Sequence, residues 1–474
     1  MFVELKAVAR IAPEGFVPRP LFPVALSLSL SIVLSSLAWP ALATAQTSAP
    51  AATPTAPLAI HVGDADLLIG GFLDATSVTR STNTGAVLGT VFGTIPFATG
   101  AAGQLSETRL SAQNSRLSLM ATSQAGHVAM KGYVEADFGG AAPANVMVTS
   151  NGNTFRMRLF WAQATAGNVE FLAGQSWSLA TPGRNGISPA PGDIFFTQLV
   201  DTNYQSGLVW NRTAQFRIVA HPSNRVAAAL SIENPQQYVG SAVTLPAAFT
   251  AAELDNGSNA GAPNLMPDII GKVAVDTPTG DTRQHVEVMG LVRQFKTWDA
   301  TSTSTMTATA TGGGLNVNLE PVKGVHLIGN SFFSKGGGRY LANTNIPDLI
   351  VNGDSSMTLV SNRSLMGGIE AAAGTKTTLF GYHSQVTATA ATTTDPATGK
   401  AIGFGVAGQT AANKDITETS VGFNYAFFKD AKIGSLQLMA QFSSVTRTPF
   451  SVPTGTPANA SAKLFYVNVR FVLP

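Results

Sequence analysis

Arginine and carboxylate side chains alternate with apolar residues in several stretches of the first half of the chain. Arg116 lies in one stretch, Glu135 and Asp137 lie in the next, and Arg156 and Arg158 lie in a third. A guanidinium group donates paired hydrogen bonds to a carboxylate, so arginines clustered at a narrow passage would attract and bind anions. For each arginine taken singly, a salt bridge within the protein is an equally good interpretation.

The histidines show no arrangement that would support catalysis. A hydrolase needs a Ser or Thr nucleophile activated by a nearby His. The six histidines are scattered singly, without an HExxH motif or metal-ligand spacing. They are His61, His127, His221, His285, His326 and His383. We therefore expect no enzyme activity, no metal site and no cofactor.

The end of the chain predicts the element that positions these side chains. From Lys463 to Phe471, apolar residues such as Phe465 and Val469 alternate strictly with a mostly polar set that includes Asn468 and Arg470. A period of two is that of a β-strand between two different environments. The pattern recurs along the chain, and no helical domain is predicted to cover the apolar faces, so lipid would cover them. Strands in lipid must pair all their backbone groups, which requires a closed barrel.

The connections between the predicted strands alternate between long and short, as in bacterial barrels with long external loops and short periplasmic turns. Long connections are predicted at 80–106, 139–152, 178–203, 234–266, 298–311, 335–355, 390–414 and 448–459. The alternation requires Tyr204 to Ala220 to be one irregular strand. The sequence therefore predicts an all-β, transmembrane antiparallel β-barrel of about 16 strands.

Charged strand residues should face the lumen, because Lys or Arg on the lipid face costs about 2–4 kcal/mol at the bilayer midplane. The predicted pore-lining or solute-binding residues are Arg116, Lys131, Glu135, Asp137, Arg156, Arg158, Glu170, Arg184 and Arg217.

Two local features refine this assignment. Between Thr154 and Ala164, strict alternation places Leu159 and Trp161 on the lipid face, with Phe155 and Met157. The segment 178–203 contains Arg184 within a polar run shaped by Pro and Gly, and loops of this length are usually functional or disordered. We expect this loop to fold into the pore as a constriction, although an ordinary external loop is the alternative.

The beginning of the chain predicts export. Three basic residues precede an apolar run from Leu21 to Trp39, and the small residues of Ala41–Ala45 follow it. We expect residues 1–45 to be a signal peptide, residues 46–66 a flexible periplasmic linker, and residues 67–474 the barrel. A membrane anchor is the alternative for the apolar run. The chain has no cysteine, and only 12% of its residues are charged, which suits a wall that partly faces hydrocarbon.

Several short stretches together resemble the DcaP-like porins, a family of outer-membrane channels associated with small dicarboxylic acids. These stretches are Leu110–Leu117, Gly132–Phe138, Arg156–Leu159, Leu172–Ser178, Ala229–Pro235 and Gly338–Tyr340. The resemblance covers roughly 67–474. It implies a homotrimer of sixteen-stranded barrels with a basic constriction, in which Arg116, Arg156 and Arg158 are pore arginines. The chain departs from the family in lacking heptads over 46–66 and in continuing past Phe471 with Val-Leu-Pro.

Together these patterns lead us to expect a passive porin of the bacterial outer membrane that admits small hydrophilic solutes with a bias toward anions such as dicarboxylates. Its partners would be outer-membrane lipid, two further copies of the chain and small anionic solutes. The net charge of +2 gives no indication of a partner, and we expect no nucleic acid. The leading alternative is a structural or adhesive barrel with a plugged lumen and external loops that bind a partner. A barrel hydrolase comes third.

Overall fold

A computed structural model of the chain describes residues 58–140, 152–190, 197–200, 204–240, 242–247, 249 and 266–474. Sixteen antiparallel strands form a closed barrel, which confirms the predicted fold class. The predicted signal peptide, residues 1–45, lies outside the described residues. No helix in the described part of the chain is long and apolar enough to span a membrane.

The strands follow one another around the barrel in chain order. The first eight are β1 (Ala65–Arg80), β2 (Arg116–Ala125), β3 (Val128–Asp137), β4 (Arg156–Ala166), β5 (Val169–Trp177), β6 (Arg212–Ser223), β7 (Val226–Glu233) and β8 (Asp268–Thr279). The last eight are β9 (Thr282–Asp299), β10 (Ser304–Val322), β11 (Val325–Lys335), β12 (Ser361–Ala373), β13 (Thr377–Ala388), β14 (Asn413–Asp430), β15 (Gly434–Pro449) and β16 (Ala460–Val472).

The barrel closes where β16 pairs with β1, as the alternating last strand predicts. Asp74 lies on the lumen side of this seam, and its side chain is fully buried. Its carboxylate accepts hydrogen bonds from Nε and Nη2 of Arg470 at 2.9 and 2.7 Å, and from the Asn468 amide at 2.7 Å. Polar contacts therefore join the two ends of the wall on the side away from lipid.

Alternation along each strand separates a lipid face from a lumen face. In β16, Phe465 is 49% exposed on the outside, whereas Tyr466 is fully buried on the inside. The same contrast holds in β9, where Val288 is exposed and Glu287 is buried. Outward apolar side chains meet hydrocarbon, and inward polar side chains pack against loops that fold into the barrel.

The short turns join the strands at the periplasmic end where the sequence predicts them, for example at Gly126 and Gly167. These two glycines have φ of 61° and 58°, a left-handed conformation that glycine adopts without steric cost.

The predicted long loop at 298–311 is wrong. Strands β9 and β10 extend to Asp299 and Ser304, and only Ala300–Thr303 lies between them. Residues Thr305–Thr311 pair with β9 from Trp298 back to Val292. This run alternates threonine with Met or Ala, and β-branched threonine favours strands even where large apolar side chains are few.

Two other sequence boundaries are corrected. Tyr204–Asn211 is not part of a barrel strand, because β6 begins at Arg212. Within the predicted linker, Ala59–Val62 forms a strand that pairs with the start of β1 at Ala65–Leu68, so residues 59–66 form a hairpin rather than a flexible segment.

The long loops carry short elements of their own. The loop after β1 contains the 3-10 helix Phe92–Thr94, the four-residue helix Ala101–Gln104 and the strand Glu107–Ser111, which continues β2 beyond a break. Gly338–Tyr340 is a second 3-10 helix. The remaining loop strands are Val243–Thr244, Leu349–Val351, Met357–Leu359, Ala391–Thr394 and Ala401–Phe404. Phe92, Tyr340 and Phe404 are fully buried against inward-facing wall residues.

We expect Asp74→Ala to destabilise the barrel by about 3 kcal/mol, because removing one partner leaves Arg470 largely buried beside a polar gap at the seam. Urea unfolding of the refolded protein in lipid vesicles, followed by tryptophan fluorescence, measures the change. Asp281→Ala, in the exposed β8–β9 turn, is the matched control. Equal unfolding free energies for the two variants would contradict a role of Asp74 in closure.

Candidate functional site

Strands β2, β3 and β4 bring the predicted arginines and two carboxylates together on the lumen face. Asp137 accepts hydrogen bonds from Arg156 Nε at 2.9 Å and Nη2 at 2.7 Å, and from Arg158 Nη1 at 2.7 Å. Glu135 accepts one from Arg158 Nε at 2.7 Å, and Arg116 Nε lies 3.6 Å from the same oxygen of Glu135. We call these five residues the arginine wall.

A β-bulge in β4 builds this cluster. The pairing with β3 shifts at Arg158, so that Glu135 lies opposite Leu159 while Ala136 lies opposite Met157. The extra residue reverses the alternation from that point on. Leu159 and Trp161 are therefore buried inside the barrel, and Phe160 faces outward with 54% exposure.

The prediction that Leu159 and Trp161 face lipid is accordingly wrong. Strict alternation correctly places Arg156 and Arg158 on the lumen side but does not account for a bulge beyond them. The bulge allows two arginines to be followed immediately by an apolar packing surface inside the barrel.

The arginines differ in their access to the lumen. The Arg156 side chain is 38% exposed, whereas that of Arg158 is 2% exposed. Arg116 is also buried and lies over the Phe72 ring at 4.9 Å. On the same ring lies Arg470, at 3.9 Å, so the arginine wall continues to the barrel seam.

Lys131 shares the inward face of β3 with Tyr133 and Glu135, and its side chain is exposed. The Tyr133 hydroxyl donates to Glu135 at 3.0 Å. Lys131 therefore adds an accessible positive charge nearer the periplasmic end of the same wall.

Two of the predicted residues lie apart from the arginine wall. Glu170 is in the periplasmic part of β5, where its carboxylate contacts His221 Nε2 at 2.9 Å and the Gln163 amide at 2.9 Å. Arg217 is buried in β6 and donates to Gln215 at 3.0 Å and to the backbone oxygen of Trp177. Glu170 therefore contacts a histidine and an amide of the wall, and Arg217 contacts an amide oxygen and a backbone oxygen.

One arginine and three aromatic residues that the sequence pattern does not predict lie beside the arginine wall. Arg212 lies over the Trp177 ring at 5.3 Å, and Arg158 lies over the same ring at 6.0 Å. Trp210 packs on Trp177 with ring centroids 4.0 Å apart, and Tyr204 packs on Trp210 at 4.7 Å. The alternation of long and short connections predicts a strand from Tyr204. Nothing in the sequence of this segment therefore indicates that its aromatic side chains belong to a loop inside the barrel.

The described parts of the loop between β5 and β6, 178–190, 197–200 and 204–211, lie inside the barrel and are bonded to the far wall. Its backbone N–H groups donate to carboxylates on three strands: Gly186 to Asp276 at 2.7 Å, Gly183 to Glu287 at 2.9 Å and Ser206 to Glu418 at 2.6 Å. We call the segment 178–211 the inner loop. Charged hydrogen-bond acceptors on a rigid wall fix an irregular backbone that would otherwise be unsatisfied.

Arg184 of the inner loop forms a paired contact with Glu370 on β12, at 2.8 and 3.2 Å. Glu370 also accepts the hydroxyl of Tyr382 at 2.7 Å. Arg184 thus lies inside the barrel, its charge is balanced by Glu370 on the wall, and the contact joins the loop to β12.

A second buried cluster of charged side chains, on β8 and β9, contacts the inner loop. Lys272 donates to Glu287 at 3.0 Å and to the backbone oxygen of Thr181 at 2.8 Å. His285 lies between Asp276 and Glu287, at 3.2 and 3.3 Å. Alternation in the sequence places Glu287 inward, but its pairing with Lys272 and His285 depends on the register of β8 and β9.

Among the residues described, no group of three or more His, Cys, Asp or Glu side chains is placed to hold a metal ion. Guanidinium, carboxylate and aromatic groups make up the site. They can attract and orient a charged solute, and we assign them no covalent step.

The comparisons with known proteins place this geometry in a known fold. No family model matches the sequence, and no curated protein matches it. Among solved structures, the outer-membrane channel DcaP of Acinetobacter baumannii superimposes with a TM-score of 0.61 at 14% identity, over 86% of this chain and 97% of that one. The chain has the DcaP fold.

Two further structures cover similar shares of the chain at lower similarity. The anion-selective porin of Comamonas acidovorans matches with a TM-score of 0.46 at 11% identity, over 86% of this chain and all of that chain (100%). Pseudomonas putida OprB matches with a TM-score of 0.49 at 7% identity, over 85% of this chain and 94% of that one. The comparison with the DcaP structure confirms the predicted resemblance to DcaP-like porins at the level of the fold.

We expect Glu370→Ala to release the inner loop near Arg184, because the paired contact and the Tyr382 hydrogen bond are lost together. Tryptic cleavage after Arg184, mapped by mass spectrometry on the folded protein, should accelerate by roughly tenfold. Glu320→Ala, at the periplasmic end of β10, removes a carboxylate that lies away from the loop and should leave the rate unchanged. An unchanged rate in Glu370→Ala would show that Arg184 does not anchor the loop.

Proposed function

We propose that the protein is a passive diffusion channel of the bacterial outer membrane for small hydrophilic solutes, biased toward anions such as dicarboxylates. The observation that carries the proposal is the charge of the lumen wall at β2 to β6. Four arginines, Arg116, Arg156, Arg158 and Arg212, lie around two carboxylates, Glu135 and Asp137. These groups together have a surplus of two positive charges. A surplus in a confined, partly desolvated passage raises the local concentration of anions.

The position of the inner loop supports the same proposal. Its hydrogen bonds to carboxylates on β8, β9, β12 and β14 lie on the side away from the arginine wall. Tyr204 and Trp210 of the same loop pack beside Trp177, next to that wall. The loop therefore narrows the lumen and leaves the partly exposed Arg156 on the remaining side of the passage. Arg156, with its partly exposed guanidinium, is the group best placed to meet a passing carboxylate.

Dicarboxylates suit this wall because the accessible cations are spread along it. Arg156 lies near its external end, and Lys131 lies several residues further toward the periplasm on the neighbouring strand. A solute with two separated carboxylates can contact one cation before it leaves the other. Such stepwise contact lets a channel attract a solute without trapping it.

The remaining parts of the proposal rest on the resemblance and on the fold. We place the barrel in the outer membrane as a homotrimer, exported through a signal peptide that is cleaved near Ala45. We assign it no enzyme activity and no cofactor.

A plugged structural barrel is the second candidate, and one observation favours it. Inward-facing residues such as Val219, Ile270 and Ile416 pack with loop residues such as Ile187 and Phe404 in one buried apolar cluster. Such packing fills part of the lumen. The two functions differ in whether ions cross the barrel.

In planar bilayers, we expect the refolded protein to give conductance steps in groups of three, with a reversal potential under a KCl gradient that favours chloride. Three coupled steps follow from three pores in each inserted trimer. Heat-modifiable migration in gels serves as the control for a folded barrel. A folded, inserted barrel that passes no current would contradict the channel and favour the plugged alternative.

We expect Arg156→Gln to reduce the chloride preference by about half, because it removes one of two surplus positive charges. Arg158→Gln removes the same charge and should reduce the preference by a similar amount, but it should also lower stability, since Glu135 and Asp137 each lose a buried hydrogen-bond donor. Reversal potentials of the single variants measure both changes in selectivity. Lys432→Gln, in the exposed β14–β15 turn, changes the net charge equally and should preserve selectivity. Wild-type selectivity in Arg156→Gln would refute the role of the arginine wall.

A further inference from the structure

The lipid-facing side of β10 to β15 contains two clefts that the channel function does not use. Elsewhere this outer face is built from projecting side chains such as Phe442 and Phe465. Here the wall is indented, and the indentation lies on the outside of the barrel, where the alternation places Leu315 and Leu365.

The lower cleft has a volume of about 480 Å³ and is mainly apolar. Gly329 on β11 and Gly367 on β12 pair directly across the two strands and both face outward. Without side chains they form the floor of the cleft, and Leu315, Val317 and Leu365 form its sides. A narrow apolar groove in a membrane-facing wall accommodates a hydrocarbon chain.

The upper cleft, toward the external end, has a volume of about 720 Å³, and six of its nine lining residues have polar side chains. They include Thr387, Lys414 and Asp415. Gln385 lines both clefts, so the two spaces adjoin at one residue. The share of polar residues in the lining therefore rises in the direction of the membrane surface.

Two cations flank the upper cleft. Arg363 Nε donates to Thr387 Oγ1 at 2.9 Å, which holds the guanidinium at the edge of the cleft. Lys414 is exposed and lies on the opposite side. The one carboxylate among the lining residues, Asp415, accepts a hydrogen bond from the Gln385 amide, and the three charged groups together carry one net positive charge.

The wider rim has the same sign. The outward positions near the external ends of β9, β11 and β16 carry Lys296, Lys335 and Lys463. Lys335 and Lys463 each lie two residues beyond an outward phenylalanine, Phe333 and Phe465, so they mark the external margin of the apolar band. Basic residues at this depth attract the phosphate groups of anionic lipids.

We propose that these clefts bind a phosphate-bearing lipid of the outer leaflet, with one acyl chain in the lower cleft and a phosphate group between Arg363 and Lys414. A second copy of the chain is a poorer fit. Among the described residues, Asp415 is the acidic side chain at the outward strand positions near the external ends, so the outer wall of another copy would offer few carboxylates to pair with the basic rim. The site lies outside the lumen, so lipid binding is independent of conductance.

The test measures binding of bis-phosphorylated lipid A to the detergent-solubilised full-length protein by native mass spectrometry. The double variant Arg363→Gln/Lys414→Gln should bind about tenfold more weakly. Lys323→Gln/Lys432→Gln, in periplasmic turns, has the same change of charge and should bind as the wild type does. Equal binding by the first double variant and the wild type would overturn the proposal.

A second variant tests the acyl-chain groove. A Cβ built at Gly367 meets only the Ile328 backbone oxygen, at 4.0 Å, so Gly367→Leu is expected to fold and to fill the lower cleft. It should weaken binding of lipid A while heat-modifiable folding and single-channel conductance stay unchanged. Lipid binding that is unaffected by this variant would refute the assigned groove.

Two controls separate other occupants from the lipid. Inorganic phosphate at millimolar concentration should not displace lipid A, and full displacement would show a simple anion site instead. The chain has no cysteine, so Gly367→Cys adds a single thiol, and efficient disulfide formation between copies in membranes would show an interface between protomers. Because conductance is recorded separately, loss of the channel function would leave the lipid result intact.

Discussion

The structure depends on one constraint of the bilayer: backbone polar groups and charges cannot face hydrocarbon without a partner. Closure of β16 on β1 satisfies the backbone, and alternation sends the charged side chains inward. Many of these inward groups pair with one another. Asp74 with Arg470 at the seam and Glu135 with Arg158 on the wall are examples of one solution repeated around the barrel.

The same constraint explains how the inner loop is held. A loop packed inside a barrel buries backbone N–H groups, and each buried group needs an acceptor. Asp276, Glu287 and Glu418 supply these acceptors from rigid strands. A buried carboxylate is costly unless it is well bonded, and Glu287 is bonded to Lys272 and His285 as well. The loop and the buried charges of the far wall therefore stabilise each other, and neither is explained alone.

Sequence alternation predicts the barrel, its strand number and most turns because these follow directly from the two-residue period. It fails where local geometry departs from that period. The bulge at Arg158 reverses the faces of Leu159 and Trp161, and the threonine-rich run before Gly312 forms strand although it holds few large apolar residues. Tyr204–Asn211 has the composition of a strand, yet its hydrogen bonds go to the opposite wall, as those of Gln205 to Ser384 show. Contacts across the lumen leave no trace in local sequence.

The candidate site shows the same division. Arg116, Arg156 and Arg158 are predictable as lumen residues, because three guanidinium groups on the lipid face would destabilise the barrel severely. The net charge around them is not predictable from the sequence. It depends on the position of Arg212, at the start of β6 after the inner loop, and on the neutralisation of Arg184 by Glu370. A pore charge counted from strands and loops without their contacts would therefore include Arg184 wrongly and omit Arg212. The charge on the lumen wall therefore depends on how the folded loops place Arg184 and Arg212, and that property belongs to the tertiary structure.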